Sequence, residues 1–416
     1  MTRRRWILAI VALVLVLGAG VAVAGYVVWQ NRHPGTIRGS STVEFETTEE
    51  PGATTRPEEV VREVPWPTYG YDEQRTRYAP GFDVRPPFTM EWEKGTGSLL
   101  EFPPVVAYGR AYVGTNNGRF LAVDTETGKT VWQKSFDRCI AASPTIGDGV
   151  IYQPLMDPFP CGEHKQDAAG YVVALDPDTG RELWRFEAGV VETSPLVVGD
   201  LLYFGSWDKK MYAVDVKTHK AVWTFPTGDQ VKAGPAYARG TLYFASYDNK
   251  VYAVDARTGK LRWSASGTAN FYATPTIAYG RVFIGNTDGR VYAFGQDSGH
   301  LLWAKATGGY VYSSAAVWQK TVYVGSYSKR FYALDAGSGD VRWSFEAGGA
   351  ISGAPTVLDG VVYFSTLERK TFGLDAMTGK KLWAFDDGKY SPVVADKERV
   401  YLAGYKRLYG LLPDGG

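Results

Sequence analysis

The sequence has little of the chemistry that common enzyme classes use. Its 416 residues include 2 cysteines and 4 histidines, and no two histidines stand at metal-ligand spacing from each other. No G-x-S-x-G motif occurs. The tetrapeptide TGKT at 127–130 ends like a phosphate-binding loop, but Val123 stands where that loop requires its first glycine. These absences argue against a zinc site, a serine hydrolase and a P-loop nucleotide hydrolase.

A sustained helical pattern is also missing. Between residues 66 and 416 no stretch keeps an apolar period of about 3.6 residues. Short runs rich in Val, Tyr, Phe and Trp stand there instead, bounded by Gly, Asp and Asn, and such runs are typical of β-strands. The formal net charge is +1, which argues against a nucleic-acid partner. The sequence therefore predicts an all-β domain.

What the chain does have is a tryptophan that recurs at a fixed period. The spacing is 39 or 40 residues, apart from one of 52, and the series is Trp92, Trp132, Trp184, Trp223, Trp263, Trp303, Trp343 and Trp383. A period near 40 indicates a repeat architecture. Each repeat contains four short strand-like runs, A to D, with the tryptophan in run D. Four-stranded sheets of this kind bury their faces by stacking radially, as the blades of a propeller.

The number of repeats indicates how the ring closes. Seven complete repeats run from Pro104 to Trp383, and residues 391–411 supply runs A to C of an eighth. Its missing run D is TMEWEKG at 89–95, near the other end of the domain. We therefore predict an eight-bladed β-propeller of four-stranded antiparallel blades over residues 66–416, monomeric, with one blade shared by both ends of the domain.

A D-x-x-T-G turn precedes most of the tryptophans. Its Asp can accept backbone N–H bonds, and its Gly suits a positive φ. Two copies depart from this pattern, because Gly295 replaces the Asp and His219 replaces the Gly. We expect those two turns to be looser.

The phrase A-x-D-x-x-T-G-x-x-x-W resembles the pyrroloquinoline-quinone-like repeat family, as does the segment WPTYGYDEQRTRYAP at 66–80. The resemblance implies an eight-bladed propeller and allows two functions. One branch of the family consists of quinoprotein dehydrogenases, which hold a quinone and calcium on the propeller axis. The other is non-catalytic and includes the lipoprotein scaffold of the outer-membrane β-barrel assembly machine. This chain departs from the first branch in having no adjacent Cys-Cys pair and from that lipoprotein in having no cysteine near its N-terminus.

The N-terminal region predicts a membrane anchor. Arg3, Arg4 and Arg5 lie in a basic tail (1–5) that should stay in the cytoplasm. Residues 6–29 carry no charge, and as a helix they would span about 36 Å, enough for a bilayer. The alternative is a signal peptide cleaved after Ala24. Residues 30–65, rich in Thr, Glu and Pro, are predicted to be a disordered stalk. The sequence thus predicts a single-pass cell-membrane protein with an extracytoplasmic propeller.

Aligning the repeats reveals candidate binding residues. Two positions before each Ser-Pro-like step at the start of run A, side-chain chemistry varies while the surrounding frame is constant. The D–A loops and B–C turns emerge at the same end of a propeller, so these residues should form a ring at one mouth of the axis, with aromatic B–C turns around it. The ring is Glu101, Ala141, Glu192, Lys232, Tyr272, Tyr312, Ser352 and Lys389, and the turns contain Trp207, Tyr247, Tyr327 and Tyr405.

Two functions remain open at this point. The first is a non-catalytic scaffold that binds a protein, peptide or envelope partner on the face of the D–A loops and B–C turns. It expects no cofactor and no metal site. The alternative is a dehydrogenase dependent on pyrroloquinoline quinone and calcium, with Glu101, Glu192, Lys232 and Lys389 as its first candidate ligands. A solvated polar funnel that binds nothing is a third interpretation of the ring.

The two cysteines should form a disulfide. Cys139 lies in the D–A loop before the second repeat, and Cys161 lies in the long B–C loop of that repeat, so both should emerge at the mouth. An extracytoplasmic location allows the bond to persist, and loop closure should stabilise the fold by about 3 kcal/mol. Thiol titration of the unfolded, unreduced protein should detect no free thiol. Detection of two thiols would rule the bond out.

Overall fold

Each repeat folds into one four-stranded antiparallel sheet, and eight such sheets form the blades of a propeller. The computed structural model describes residues 36–38, 63–158, 169–390 and 393–414. Every regular element within these ranges is a β-strand. The prediction of an all-β, eight-bladed propeller is therefore confirmed for the described chain.

The strands follow the repeats closely. Strand A of each blade lies nearest the axis, and strand D lies at the outer edge. Before the first complete blade come β1 (Thr36–Arg38), β2 (Tyr78–Ala79) and β3 (Phe88–Gly95). Blades one to three are β4 (Val105–Ala107), β5 (Arg110–Gly114), β6 (Arg119–Asp124) and β7 (Thr130–Ser135); β8 (Thr145–Gly147), β9 (Val150–Leu155), β10 (Ala169–Leu175) and β11 (Glu182–Gly189); and β12 (Leu196–Val198), β13 (Leu201–Ser206), β14 (Lys210–Asp215) and β15 (Lys220–Pro226).

The remaining blades repeat the same order. Blades four and five are β16 (Ala236–Ala238), β17 (Thr241–Ser246), β18 (Lys250–Asp255) and β19 (Leu261–Ser266), then β20 (Thr276–Ala278), β21 (Arg281–Gly285), β22 (Arg290–Gly295) and β23 (Leu301–Ala306). Blades six and seven are β24 (Ala316–Trp318), β25 (Thr321–Gly325), β26 (Arg330–Asp335) and β27 (Val341–Glu346), then β28 (Thr356–Leu358), β29 (Val361–Ser365), β30 (Thr371–Asp375) and β31 (Lys381–Phe385). The last strands are β32 (Val393–Ala395), β33 (Val400–Ala403) and β34 (Arg407–Pro413).

The predicted closure of the ring is confirmed. Strand β3 pairs antiparallel with β34, with Phe88 opposite Pro413 and Gly95 opposite Arg407. The eighth sheet thus has the order β3-β34-β33-β32, so residues from both ends of the domain share one blade.

Burial explains why the strands differ in sequence. In β18 the run Val251–Val254 is fully buried, since a strand between two sheet faces contacts neighbours on both sides. The outer strand β7 instead alternates partly buried and exposed residues. Continuous apolar runs suit strands buried on both faces, and alternation suits strands with one solvated face. The difference in burial therefore explains why run C is continuously apolar and run D alternates.

The repeated tryptophan joins each blade to the next. The indole N–H of Trp263 in blade four donates to the carbonyl oxygen of Gln296 in blade five at 2.9 Å, and the Trp263 side chain is buried. Bonds of 2.9–3.0 Å of the same kind connect Trp92 to Thr125, Trp132 to Pro177, Trp223 to Ala256, Trp303 to Ala336 and Trp343 to Ala376. The tryptophan period is therefore the period of the contact between blades.

The glycine of the D-x-x-T-G turn is constrained twice. Gly259 has a φ of 69°, as the turn motif predicts. A Cβ atom on Gly259 would also lie 2.7 Å from the ring of Trp223 in the preceding blade, closer than real Cβ contacts. The turn therefore needs glycine both for its backbone and for the space that the tryptophan occupies.

His219 occupies the turn position of the glycine and also packs against a tryptophan ring. Its φ is 59°, its N–H donates to the carbonyl oxygen of Asp215 at 2.8 Å, and its imidazole stacks on Trp184 with ring centroids 4.5 Å apart. Gly299 donates to Gly295 at 2.8 Å in the other atypical turn. The prediction that these two turns are looser is wrong for their backbones, because each keeps the hydrogen bond that closes the standard turn.

Several predictions concern residues outside the described ranges. The basic tail (1–5) and the predicted anchor (6–29) lie there, and no helix in the described part of the chain is long and apolar enough to cross a membrane. Within the predicted stalk (30–65), β1 pairs antiparallel with β23, so the structure has a strand at Thr36–Arg38 where the sequence predicts disorder. Cys139 is fully buried, but Cys161 is outside the described residues, and the disulfide stays a prediction.

Substitution of Trp263 by Ala should lower the free energy of unfolding by about 3–5 kcal/mol, as for other buried aromatic residues. The reason is the loss of both the interblade packing and the bond to Gln296. Leu261 lies on the same strand and is 52% exposed, so Leu261→Ala is a matched control and should change stability by less than about 0.5 kcal/mol. Urea unfolding of both variants measures the difference, and equal effects would contradict the role assigned to the tryptophan.

Candidate functional site

A cavity of about 340 Å³ opens at one end of the propeller axis. Most of the predicted ring lines it, and this end is called the mouth. The lining comprises Glu101, Glu192, Lys232, Tyr272, Tyr312 and Ser352 of the ring, Tyr247 and Tyr327 from B–C turns, and Tyr69, Phe102, Ser194, Gly234, Thr274, Ser314, Gly353, Ala354 and Tyr390. The structure therefore brings together eight of the twelve residues that repeat alignment singled out.

The other four lie around this axial cavity. Trp207 contacts Glu192 and Lys232 from the rim, and Lys389 lies between the rings of Tyr390 and Tyr405. Ala141 is buried among Cys139, Met156 and Val190 and their neighbours. Ring and turns thus form one continuous surface at the mouth.

A hydrogen-bonded ladder holds the inner strands together just inside the mouth. The backbone N–H of Gly234 donates to the Thr274 hydroxyl of the next blade at 3.1 Å, and the N–H of Thr274 donates in turn to Ser314 Oγ at 2.9 Å. Ser143 and Ser194 make the same contact at 3.0 Å. At these three junctions the small residue at the start of strand A therefore occupies little space near the axis and also links adjacent blades.

Residues 66–79, the central segment, cover the inner end of the axis. Their backbone atoms bond to inner strands on both sides of the ring. The pairs, 2.7–3.0 Å apart, are Trp66 with Val106, Pro67 with Ile146, Glu73 with Tyr237, Gln74 with Ile277, Thr76 with Val317 and Arg77 with Val357. Tyr69 of this segment lines the axial cavity. The cavity is therefore open at the mouth and closed by the central segment.

Two arginines anchor the central segment. Arg75 is fully buried, and it donates to the carbonyl oxygens of Pro235 and Pro195, each at 2.8 Å. Burial, followed by the charge of Arg77, lowers the pKa of Arg75 to about 9. The Arg77 guanidinium lies 4.5 Å from the Tyr69 ring centroid. The sequence identified this segment as typical of the family, but no period marks its arginines, so their role was missed.

Glu192 is the most connected side chain at the mouth. Its carboxylate accepts from the Tyr272 hydroxyl and from the Trp207 indole, each at 2.9 Å. The Lys232 ammonium lies 3.6 Å from the same carboxylate, 4.0 Å from the Trp207 ring centroid and 5.0 Å from that of Tyr247. Burial, followed by the charges of Glu192 and Glu101, raises the pKa of Tyr272. Tyr272 therefore stays protonated as a donor to Glu192.

Glu101 is the second carboxylate of the cavity, and it is less well compensated. Burial, followed by the charge of Glu192, raises its pKa to about 7, against the opposing effects of a hydrogen bond from Asn116 and the charge of Lys389. The Lys389 ammonium lies 5.0 Å from the ring centroids of Tyr390 and Tyr405. Glu101 therefore exchanges its proton near neutral pH.

Tyrosines form the wall opposite Glu101. Tyr272 and Tyr312 meet edge to face at 5.1 Å, as do Tyr312 and Tyr327. Tyr310 lies at the rim, 6.0 Å from Tyr312, and is 54% exposed. Aromatic groups that hold one another at these distances present a rigid apolar surface with polar hydroxyls.

A basic group borders the other side of the mouth. The Arg369 guanidinium lies 3.8 Å from the ring centroid of Tyr405, and the ammonium groups of Lys389 and Lys406 lie 5.0 and 5.4 Å from it. Tyr405 was predicted at the rim, whereas Arg369 was not, because it belongs to a turn that varies between repeats. The mouth thus combines a tyrosine wall with a basic group around Tyr405, which lies next to Glu101 in the ring.

Fold and site together define a class of protein, an eight-bladed propeller of tryptophan-linked repeats with an axial cavity open at one end. The chain belongs to the family described as outer membrane protein assembly factor BamB, whose profile matches residues 88–223, 212–317 and 287–416. The resemblance to pyrroloquinoline-quinone-like repeats is thereby confirmed.

Curated relatives represent both branches of the wider repeat family. The chain is 31% identical over 164 residues to outer membrane protein assembly factor BamB of Bordetella pertussis, which covers 39% of this chain and 37% of that protein. It is 28% identical over 144 residues to quinohemoprotein alcohol dehydrogenase ADH IIB of Pseudomonas putida, over 30% of this chain and 19% of that protein. The matched stretches therefore span well under half of either relative.

A solved structure confirms the fold. The crystal structure of BamB from Moraxella catarrhalis superposes with a TM-score of 0.64 at 16% sequence identity, over 78% of this chain and all of that one. At this level of identity the likeness concerns the fold alone.

Replacement of Glu101 by Gln should stabilise the protein above neutral pH and reduce the pH dependence of its stability. The raised pKa means that stability from protonated Glu101 is fully present below the ordinary value of 4.5 and is lost as the pH rises through about 7. Gln cannot ionise, so Glu101→Gln should unfold at higher urea concentration than wild type on the alkaline side. Glu126→Gln, at an exposed turn, is the control, and identical pH profiles for all three proteins would contradict the raised pKa.

Proposed function

We propose that this chain is a non-catalytic binding propeller that receives a protein partner at its mouth. The observation that carries the proposal is the mouth itself, where an axial cavity opens between a tyrosine wall and a charged rim. Aromatic and arginine side chains on a rigid frame are typical of interaction surfaces. Membership of a family named for an assembly factor supports the same function.

Rigidity of the rim favours binding. The rim residues project from turns between strands of the blades. Hydrogen bonds to the Thr274 and Ser314 hydroxyls and the tryptophan contacts between blades hold those strands in place. A surface already held in place loses little conformational entropy when a partner docks. The blades therefore act as a fixed support, and the variable mouth residues determine the partner.

The proposal includes an extracytoplasmic location and a membrane anchor. It rests on the arginines before the uncharged run 6–29 and on the excess of basic residues on the cytoplasmic side that orients such segments. A relative named for outer-membrane protein assembly supports an envelope location. The mass of the mature protein separates the anchor from a cleaved signal peptide, because cleavage after Ala24 leaves Gly25 as the first residue.

The alcohol dehydrogenase relative makes quinone chemistry the second candidate. The donor set of the cavity does not fit it well. Calcium takes about 6–8 oxygen ligands, whereas the described part of the cavity offers two carboxylates. Both oxygens of Glu192 already accept hydrogen bonds, and no cluster of three or more His, Cys, Asp or Glu side chains suited to a metal is found in the described ranges. We therefore propose no quinone-dependent step.

Photo-crosslinking in the native membrane tests this function. A photoreactive amino acid at exposed Tyr310, beside the tyrosine wall, or at exposed Lys406, in the basic group of the mouth, should capture the same protein. Matched controls at Val222 and Leu261, which are 51% and 52% exposed on outer strands, should not capture it, because the predicted interface lies at the mouth.

The crosslinked product must also depend on the mouth residues. Excess purified propeller should compete for the captured protein, and propeller with Tyr310→Ala and Tyr312→Ala should compete at least tenfold less well, a loss of about 1.4 kcal/mol. Capture of the protein by the outer-strand positions, or equal competition by the double variant, would refute the proposed surface.

A further inference from the structure

The lining of the axial cavity carries a net negative charge when both of its carboxylates are ionised, and the nearest basic side chain outside that lining is Lys389. Its described lining contains two acids, Glu101 and Glu192, and one base, Lys232, so its formal charge is then −1. Glu192 and Lys232 lie 3.6 Å apart and largely neutralise each other. The remaining charge belongs to Glu101, which is partly buried and lies within the fields of Glu192 and Lys389.

Lys232 shows how this mouth accommodates an ammonium group. Its Nζ lies between two aromatic rings, at 4.0 Å from the centroid of Trp207 and 5.0 Å from that of Tyr247, and it faces the Glu192 carboxylate. Aromatic faces with a carboxylate nearby form a favourable environment for organic cations. One part of the cavity is therefore a complete ammonium site occupied by the chain itself.

The same kinds of group surround the open part of the cavity, where the described lining holds no second cation. Glu101 supplies the carboxylate, Tyr312 and Tyr327 supply aromatic rings, and Ser352 supplies a hydroxyl. Small residues stand at ring position 141, next to Glu101, and at ring position 352, next to Tyr312. At about 340 Å³ the volume suits a small ligand or a long side chain.

We infer that the axial cavity binds an organic cation, an ammonium or guanidinium group on a flexible chain, placed between Glu101 and the tyrosine wall. The inference rests on the proposed function and makes it more specific. Because the central segment closes the inner end, the cation must enter from the mouth, as a Lys or Arg side chain projecting from a docked partner would. The basic rim around Tyr405 would then face the neighbouring surface of that partner.

Binding of a cation here depends on proton release from Glu101. The charged groups that face Glu101 are Glu192, Lys389 and, through Glu192, Lys232, with Asn116 as its hydrogen-bond donor. An alkylammonium remains charged well above neutral pH. Affinity should therefore rise as the pH increases through about 7, where Glu101 ionises.

Ligand-observed NMR titration of the full chain in detergent tests the inference, because it detects millimolar affinity. The probes are Nα-acetyl-lysine amide, Nα-acetyl-arginine amide and pentane-1,5-diamine, with the uncharged Nα-acetyl-norleucine amide as the matched control. We expect saturable binding of the cations that strengthens at least fivefold from the acidic to the alkaline side of neutrality. Absence of saturable binding, or equal binding of the norleucine compound, would overturn the inference.

Variants locate the cation. Glu101→Gln should weaken binding at least tenfold on the alkaline side and remove its pH dependence, whereas Glu126→Gln should leave it unchanged. Tyr312→Leu should weaken binding and Tyr312→Phe should preserve it, because the ring face and not the hydroxyl contacts the cation. Thermal melts check that each variant is folded. Unchanged affinity in folded Glu101→Gln and Tyr312→Leu proteins would place the cation elsewhere and refute the site.

The probes also identify the source of the cation. Tighter binding of the amino-acid amides favours a partner's side chain, and tighter binding of the diamine favours a free amine; both support a cation site. Capture of a partner at Tyr310 and Lys406 without any cation binding would leave the proposed function standing and refute this inference alone.

Discussion

The contact between a tryptophan and the glycine turn of the next blade is the interaction on which the structure depends. It occurs at six junctions between blades, and His219 takes the place of the glycine at a seventh, so it fixes both the spacing and the relative orientation of adjacent sheets. A sheet in a propeller is stable through its neighbours, which explains why the contact recurs around the ring. The residue at this turn position must leave the flat face of the indole free of a clash. Glycine does so because it has no side chain, and His219 does so by stacking its ring on Trp184.

The central segment converts this symmetric ring into an asymmetric site. Eight inner strands alone would leave an axis open at both ends, but residues 66–79 bond to inner strands around the ring and bury Arg75 on the axis. Those bonds use backbone amides and carbonyls that the short inner strands leave unpaired, and buried groups of that kind need partners. The central segment thus gives hydrogen-bond partners to backbone groups of the inner strands. It also closes one end of the axis, so the cavity opens only at the mouth.

The sequence predicted what repeats and missed what does not. The tryptophan period predicted the blades, their number and the shared eighth blade, and alignment of the repeats predicted eight of the residues that line the cavity. Arg75 and Arg369 were missed because each occurs once and carries no pattern. The sequence shows that the residues at the start of strand A are small, but it does not show that their hydroxyl groups accept hydrogen bonds from the next blade. Strand β1 was missed because Thr36–Arg38 lies in a polar segment, where pairing depends on an edge that blade five provides.

The contacts among the side chains at the mouth distinguish the scaffold function from the redox function. A propeller axis that holds a metal needs carboxylate oxygens directed at the ion, whereas Glu192 accepts from Tyr272 and Trp207 and pairs with Lys232. A metal at that position would have to displace three partners, including an ammonium that is itself stabilised by two aromatic rings. Glu101 has fewer partners, and its high pKa indicates that it can accept a cation in exchange for a proton. These contacts favour the proposed binding of a charged group that enters from the mouth over a metal ion held by Glu192.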